Sequence, residues 1–146
     1  MQIEIVTKAD AELHAAFQRL VPQLTNTHSP PTLDELTALL RDASSTLVIA
    51  RDVDGAIVGA LNLTVYRVPT GIRSIIEDVV VDISARGQGI GEELMLRAIE
   101  IAREKGAAGI TLTSNPTRVA ANKLYVRLGF QKRDTNAYQM SLRGRT

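Results

Sequence analysis

The sequence predicts a mixed α/β domain over residues 1–146, with the element order β-α-α-β-β-β-α-β-α-β-β. Three observations lead there. Apolar runs of strand length alternate with stretches whose apolar residues recur every three to four positions. Short breaks of glycine, proline and Asx residues separate these segments, with neither a linker nor an internal repeat. The 146 residues, 45% hydrophobic with a formal net charge of +1, suit one core of ordinary size rather than a disordered chain.

Residues 2–7 alternate, with Ile3 and Ile5 on one face, and read as a strand. Asp10 is placed to cap a helix carrying Leu13, Phe17, Leu20 and Leu24 at helical spacing, and Pro22 should bend or end it. Residues 25–31 are loop. Thr32 and Glu35 then fit a capping box ahead of a short helix with Leu33, Leu36 and Leu40. Residues 46–51 and 56–66 read as strands joined by an Asp54-Gly55 hairpin turn, and Pro69-Thr70-Gly71 makes the next turn. Ile76, Val79, Val80 and Val81 mark a central strand. It breaks at Arg86-Gly87-Gln88-Gly89-Ile90-Gly91 and resumes as a helix, with Ile90, Leu94, Ala98 and Ile101 on one stripe. That helix should end near Lys105, with Gly106 as its cap. Residues 110–114 read as a strand. Asn115-Pro116 opens a helix that Gly129 stops, and residues 130–133 and 137–142 read as a closing hairpin around Asp134-Thr135-Asn136.

Composition excludes several function classes. Cysteine is absent, which removes disulfides, thiolate metal sites and a cysteine nucleophile together. The two histidines, His14 and His28, come with no carboxylate spacing suited to a metal, so none is expected. Basic residues are scattered among acidic ones, which speaks against a nucleic-acid face. No apolar run is long enough to span a membrane and no signal-peptide pattern is present, so a cytoplasmic location without membrane association is expected.

A strand that feeds a glycine-rich turn into a helix N-terminus is suited to an anion. Free first-turn N–H groups, close backbone approach at the glycines and the helix dipole act together there. The turn at residues 86–91 is read as holding a pyrophosphate. It is not a dinucleotide fingerprint, because Glu92 stands where the third glycine should be. It is not a P-loop either, because no Gly-Lys-Ser/Thr follows.

The run Arg86-Gly87-Gln88-Gly89-Ile90-Gly91 after a valine strand resembles the acetyl-coenzyme A loop of the GNAT superfamily of N-acetyltransferases, with Arg86, Gly89 and Gly91 at the matching positions. Downstream, Ala121, Leu124, Tyr125, Gly129 and Phe130 are similar to the family's A-x-x-L-Y-x-x-x-G-F segment. The resemblance implies a GNAT-like fold, with a mixed, mostly antiparallel central sheet flanked by helices. It also implies acetyl-CoA as cosubstrate and an amine, here read as a small-molecule amine, as acceptor, with a peptide or protein amine, or an acyl-CoA-binding sensor module without turnover, as the alternatives. Dimers are common in the resembled family, and Tyr138, Met140 and Leu142 of the closing hairpin offer apolar strand surface for a homodimer.

Acetyl transfer from a thioester to an amine needs an anchored coenzyme, a polarised carbonyl, a base and an acid. The backbone of Gly87, Gln88, Gly89, Ile90 and Gly91, with Arg86, is the expected anchor. The resemblance implies that the main chain of Val79, Val80 and Val81 pairs with the pantetheine arm, although these valines also read simply as core. An alkylamine is free base to roughly one part in 10³ at neutral pH, so a carboxylate that takes its proton matters. Glu77 and Asp78, adjacent in an otherwise apolar strand, are the candidates, with ion pairing to Arg73 or Arg86 as the structural alternative. The same strand is similar to that of glucosamine-6-phosphate N-acetyltransferases, where the matching Glu is the proposed base and the matching Asp positions the amine. The segment Thr113-Ser114-Asn115-Pro116 departs from that subgroup. The resemblance implies Tyr125 as the general acid, a residue that also reads as core beside Ala121 and Leu128. Asn122 and Asn115 are candidate coenzyme contacts. Arg118 stands where the family often has Asn, which leaves the hold on the adenosine end open.

Overall fold

The computed structural model describes residues 1–143. The chain forms two compact units, Met1–Thr113 and Ser114–Thr146. In the first, β1 (Gln2–Ile5), α1 (Ala11–Leu24), α2 (Leu33–Arg41), β2 (Ser45–Arg51), β3 (Ile57–Val68), β4 (Gly71–Val81), α3 (Ile90–Glu104) and β5 (Ile110–Thr111) follow in order. A 3-10 turn at Ile83–Ala85 stands between β4 and α3. The second unit holds α4 (Val119–Arg127).

The strands make one sheet in the order β1-β2-β3-β4-β5, antiparallel throughout except for the parallel β4–β5 pair. Residues opposite one another in the ladder share a face. On one face, Leu47, Ile49, Ala60 and Val80 pack with Leu13, Ala16, Phe17 and Leu20 of α1 and Leu36 of α2. On the other face, α3 lays Ile90 and Leu94 against β3. A Cβ at Gly59 would meet Leu94 Cδ1 at 3.1 Å and the Val80 carbonyl at 3.3 Å, so a larger residue there would make its neighbours give way slightly.

Local signals set the helix starts. Asp10 caps α1 through the Leu13 N–H at 2.9 Å, and Thr32 and Glu35 form the full capping box of α2. α1 runs through Pro22 and stops two residues later at Leu24. Gly106, at φ +79°, follows the end of α3 as expected.

Three expectations are corrected. Asn115-Pro116 does not begin a helix. Its side-chain oxygen accepts from the Thr117 N–H at 2.9 Å, which makes a local turn, and α4 starts at Val119. β5 covers Ile110–Thr111, shorter than the expected 110–114. Residues 130–133 and 137–142 form no strands, so the closing hairpin is not present among the described residues. Tyr138, Met140 and Leu142 are 90%, 82% and 92% exposed, so the alternating apolar face that suggested strands is not buried against anything.

Candidate active site

The C-terminal half of β4 and the turn after it carry most of the expected site. Glu77 pairs with Asn62 and Val80 with Ala60, so Asp78 and Val79 together oppose Leu61 in a β-bulge. Asp78 sits at φ +56°, a left-handed conformation that Asp tolerates better than most residues. The bulge resets the alternation: Glu77 and Val80 share a face, and Asp78 leaves the ladder. Simple alternation would send the adjacent Glu77 and Asp78 to opposite faces, and the bulge breaks that alternation.

Both carboxylates are exposed, so neither bears the desolvation that an apolar strand would impose. Among the described residues neither pairs with Arg73 or Arg86. Arg73 donates to the Thr70 hydroxyl at 2.9 Å, and Arg86 to the Val81 carbonyl at 3.1 Å.

Val80 is buried under α1, while Val79 and Val81 are half-buried. The core reading therefore holds for Val80. β5 pairs with β4 only at Ser74 and Ile75, and no strand lies along that edge of residues 76–81 among the described residues.

The turn is pinned from behind by residues that local patterns do not reveal. Buried Asp82 accepts from the Ser84 N–H at 3.1 Å, the Ser84 hydroxyl at 3.0 Å and Arg19 Nε at 3.0 Å. Arg19 also donates to the Ile57 carbonyl, and the Ile83 N–H donates to Gln23 Oε1 at 2.8 Å. The Ser84 N–H, with help from the Arg19 guanidinium, holds the Asp82 carboxyl below the usual range although burial opposes this. The spacing Asp-x-Ser hints at the local turn only. Nothing in sequence joins Arg19 to a residue 63 positions away.

Gly87 and Gly89 take φ +78° and +79°, and nothing lies within 4 Å of where a Cβ of either would stand. Gly89 is the N-cap of α3 and supplies no side-chain bond to the helix. A helix N-terminus with no side-chain cap, a favourable dipole and room at the two glycines is an arrangement that fits a pyrophosphate. Gln88, Ile90 and Gly91 complete the segment, with Ile90 buried in the core.

In the second unit, Tyr125 is 5% exposed and meets Phe130 edge-on, with ring centroids 6.1 Å apart. Burial pushes its phenol pKa upward against the opposing charge of Arg118, so the hydroxyl keeps its proton at neutral pH. Asn122 donates to the Asn115 and Arg118 carbonyls at 3.0 and 2.9 Å, which ties the turn to α4. An open groove of about 560 Å³ runs along α4, lined by Pro116, Val119, Asn122, Lys123, Val126 and Arg127. Among the described residues, no group of three or more His, Cys, Asp or Glu side chains could hold a metal, and no helix is long and apolar enough to cross a membrane.

The Acetyltransferase (GNAT) family profile matches residues 13–130, which takes in the bulged strand, the glycine turn and the Tyr125 segment. The chain belongs to the GNAT acetyltransferase family. A glucosamine 6-phosphate N-acetyltransferase of Trypanosoma brucei brucei is 37% identical over 89 residues, 59% of this chain and 58% of that protein. The GNAT chain thus spans little more than half the length of that relative. Glucosamine 6-phosphate N-acetyltransferase 1 of Oryza sativa subsp. japonica is 31% identical over 136 residues, 85% of this chain and 78% of that one. A crystal structure described as a transcriptional regulator from Bacillus halodurans C-125 superposes with a TM-score of 0.75 at 31% identity, covering 97% of this GNAT chain and 99% of its own.

Proposed function

We propose that this GNAT chain is an acetyl-CoA-dependent N-acetyltransferase that passes acetyl directly to a primary amine of a small molecule. One observation carries the reading. The N-terminus of α3, which has no side-chain cap and is preceded by left-handed Gly87 and Gly89, follows one 3-10 turn after a bulged strand that exposes a carboxylate at Glu77.

The backbone N–H groups of residues 87–91 would hold the pyrophosphate of acetyl-CoA, with the α3 dipole adding to their field. The edge of β4 after Ile75, along which no strand lies among the described residues, would offer main-chain groups to the pantetheine arm and to the thioester oxygen. Glu77 takes a proton from the amine nitrogen, and such help is worth roughly 10²–10⁴-fold. The nitrogen lone pair forms the new C–N bond, the C–S bond breaks, and the departing thiolate takes a proton. The A-x-x-L-Y-x-x-x-G-F match gives that last role to Tyr125, and its raised pKa is consistent with a group that stays protonated until the thiolate forms. With no cysteine in the chain, an acetyl-cysteine intermediate has no carrier. Asp78, in its strained bulge position, supports the strand geometry. The names of the relatives favour a small amine over a peptide as acceptor.

The Bacillus protein's description favours a second reading, in which this chain binds acyl-CoA as a regulatory module without turnover. Thiol release from acetyl-CoA separates the two. The assay uses amino sugars and their phosphates, spermidine, aminoalkylphosphonates, amino acids and short peptides. Release with any class establishes the enzyme. Coenzyme binding by calorimetry with no release from any amine assigns the regulatory reading.

A further inference from the structure

The sheet face that carries Glu77 is covered only in part. Toward the C-terminal end of β2, the N-terminal half of β3 and the C-terminal end of β4, α1 and α2 bury the row Ile49–Ala60–Val80 and reach Leu47 in the next row. Beyond it, the same face presents Asn62 opposite Glu77, then Thr64 opposite Ile75, then Tyr66 opposite Arg73, with Ser45 beside Thr64. The burial pattern confirms the open side. Along β4, Ser74 and Ile76 are 1% and 2% exposed on the α3 face, while Arg73 and Glu77 are exposed and Ile75 is half-buried on the other.

This open face is charged at both ends, with Ile75, Thr64 and Ser45 between them. Glu77 supplies a carboxylate at one end. Beside it, the Asn62 amide donates to the Thr64 hydroxyl at 3.2 Å, while its Oδ1 is buried with no hydrogen-bond partner. A buried carbonyl without a donor is costly and marks a place where a donor belongs. At the other end, Arg73 is in no ion pair among the described residues. Four residues along a strand separate Arg73 from Glu77, about 13 Å between backbones. The Arg73 guanidinium donates to the Thr70 hydroxyl at 2.9 Å, at the end of β4 away from Glu77, and a ligand shorter than the backbone separation would draw the long Arg73 stem off this neutral bond and toward Glu77. Ile75 and Thr64 lie between Arg73 and Glu77, and Tyr66 stands opposite Arg73.

A donor-rich cation belongs at the Glu77 end, an anion at the Arg73 end, and a compact carbon frame over Ile75. We propose that the acceptor is an amine that also carries an anionic group, of the amino-sugar phosphate or aminoalkylphosphonate kind, and that Arg73 is the residue that selects for the anion. This rests on the acetyltransferase reading above. Charge complementarity makes the small acceptor the occupant of this face.

The test compares kcat/KM for thiol release with two matched pairs, glucosamine 6-phosphate against glucosamine and 3-aminopropylphosphonate against propylamine, in wild type, Arg73→Gln and Arg73→Lys. Arg73 is exposed, so both variants should fold, and their melting temperatures check this. The expected result is a wild-type preference for the anionic member of at least one pair of roughly 10–100-fold, the worth of one or two charge-assisted hydrogen bonds. Arg73→Gln should lose most of it, chiefly through KM for the anionic amine, with the neutral amine unchanged and Arg73→Lys intermediate. A preference that survives Arg73→Gln overturns the assignment, as does a variant that slows both members equally. No preference in either pair, while neutral amines turn over, overturns the substrate class and leaves the acetyltransferase reading standing. A change only in oligomeric state on sizing would give the face to a second copy and also overturns the proposal. Silence with every amine tested removes both readings together.

Discussion

Asp78 offers a way to separate backbone geometry from chemistry at the centre of the site. It is exposed, forms no ion pair among the described residues and holds φ at +56°. Replacing its side chain therefore forfeits little packing, and the energetics reduce to the cost of a left-handed residue. That cost is roughly 1–2 kcal/mol for an ordinary L-residue and less for Asp or Asn. Asp78→Asn should thus be nearly neutral. Asp78→Val adds a β-branched side chain to a conformation it resists, and should lose about 1–2 kcal/mol, or roughly 2–8 °C in Tm for a chain of this size. Asp78→Gly relieves the strain but loosens the unfolded chain by about 0.5–1 kcal/mol, so it should lie close to wild type. Urea denaturation gives the stabilities, and thiol release with one panel amine gives the activities. If geometry is what matters, Asn and Gly variants keep turnover and Val loses it, which leaves Glu77 as the base. A Val variant that melts with wild type would refute the reasoning, because the left-handed residue would then not be held by the bulge. An Asn variant as stable as wild type but inactive would return the chemical role to Asp78.

Four further outcomes follow from the same geometry. Gly89→Ala meets no clash but must hold φ near +79°, so it should cost about 1–2 kcal/mol and weaken acetyl-CoA binding by calorimetry. Tyr125→Phe keeps the ring against Phe130 and should lower kcat by about 10²-fold or more with coenzyme affinity nearly unchanged; equal turnover would remove it from the mechanism. Glu77→Gln should abolish the acid-side fall of the pH–rate profile, since a neutral amide has no carboxylate to protonate, and an unaltered profile would move the base to Asp78 or water. For Asp82, whose folded pKa is depressed, the linked stability is present above the unfolded value near 3.9 and lost as pH falls through the folded one. Asp82→Asn should therefore be less stable than wild type by roughly 1–3 kcal/mol at pH 7, and the gap in urea midpoints should close below about pH 4.

What was legible in sequence was what neighbouring residues decide among themselves. The caps at Asp10 and Thr32, the Asp54-Gly55 turn, the left-handed glycines and the stripe of α3 are all local, and all stand where their patterns place them. Local reading failed where two local outcomes compete. Asn115-Pro116 has the composition of a helix start, but the Asn115 side chain bonds Thr117 first and delays the helix to Val119. It failed again where a segment needs a partner. Alternation in residues 137–142 says that one face favours burial, but nothing in the segment says what would bury it, and Tyr138, Met140 and Leu142 lie exposed.

The candidate site depends on the kind of contact that sequence hides. The residues that shape it, Arg19 on Asp82, Gln23 on Ile83 and Asn62 beside Glu77, meet across 15 to 63 positions. The bulge at Asp78 arises because two residues of β4 oppose one of β3, a fact about register that the run Ile76-Glu77-Asp78-Val79-Val80-Val81 does not contain. Register is fixed by which faces find cover. On β4, the α3 face takes Ser74 and Ile76 into the core, so Arg73 and Glu77 must face outward together. A one-residue slip before the bulge would bury both charges and expose the core residues, a change far costlier than the few kcal/mol at stake in any single contact of the site. The open polar face is therefore a consequence of how the core is packed. Substitutions there should change what the protein accepts well before they change whether it folds.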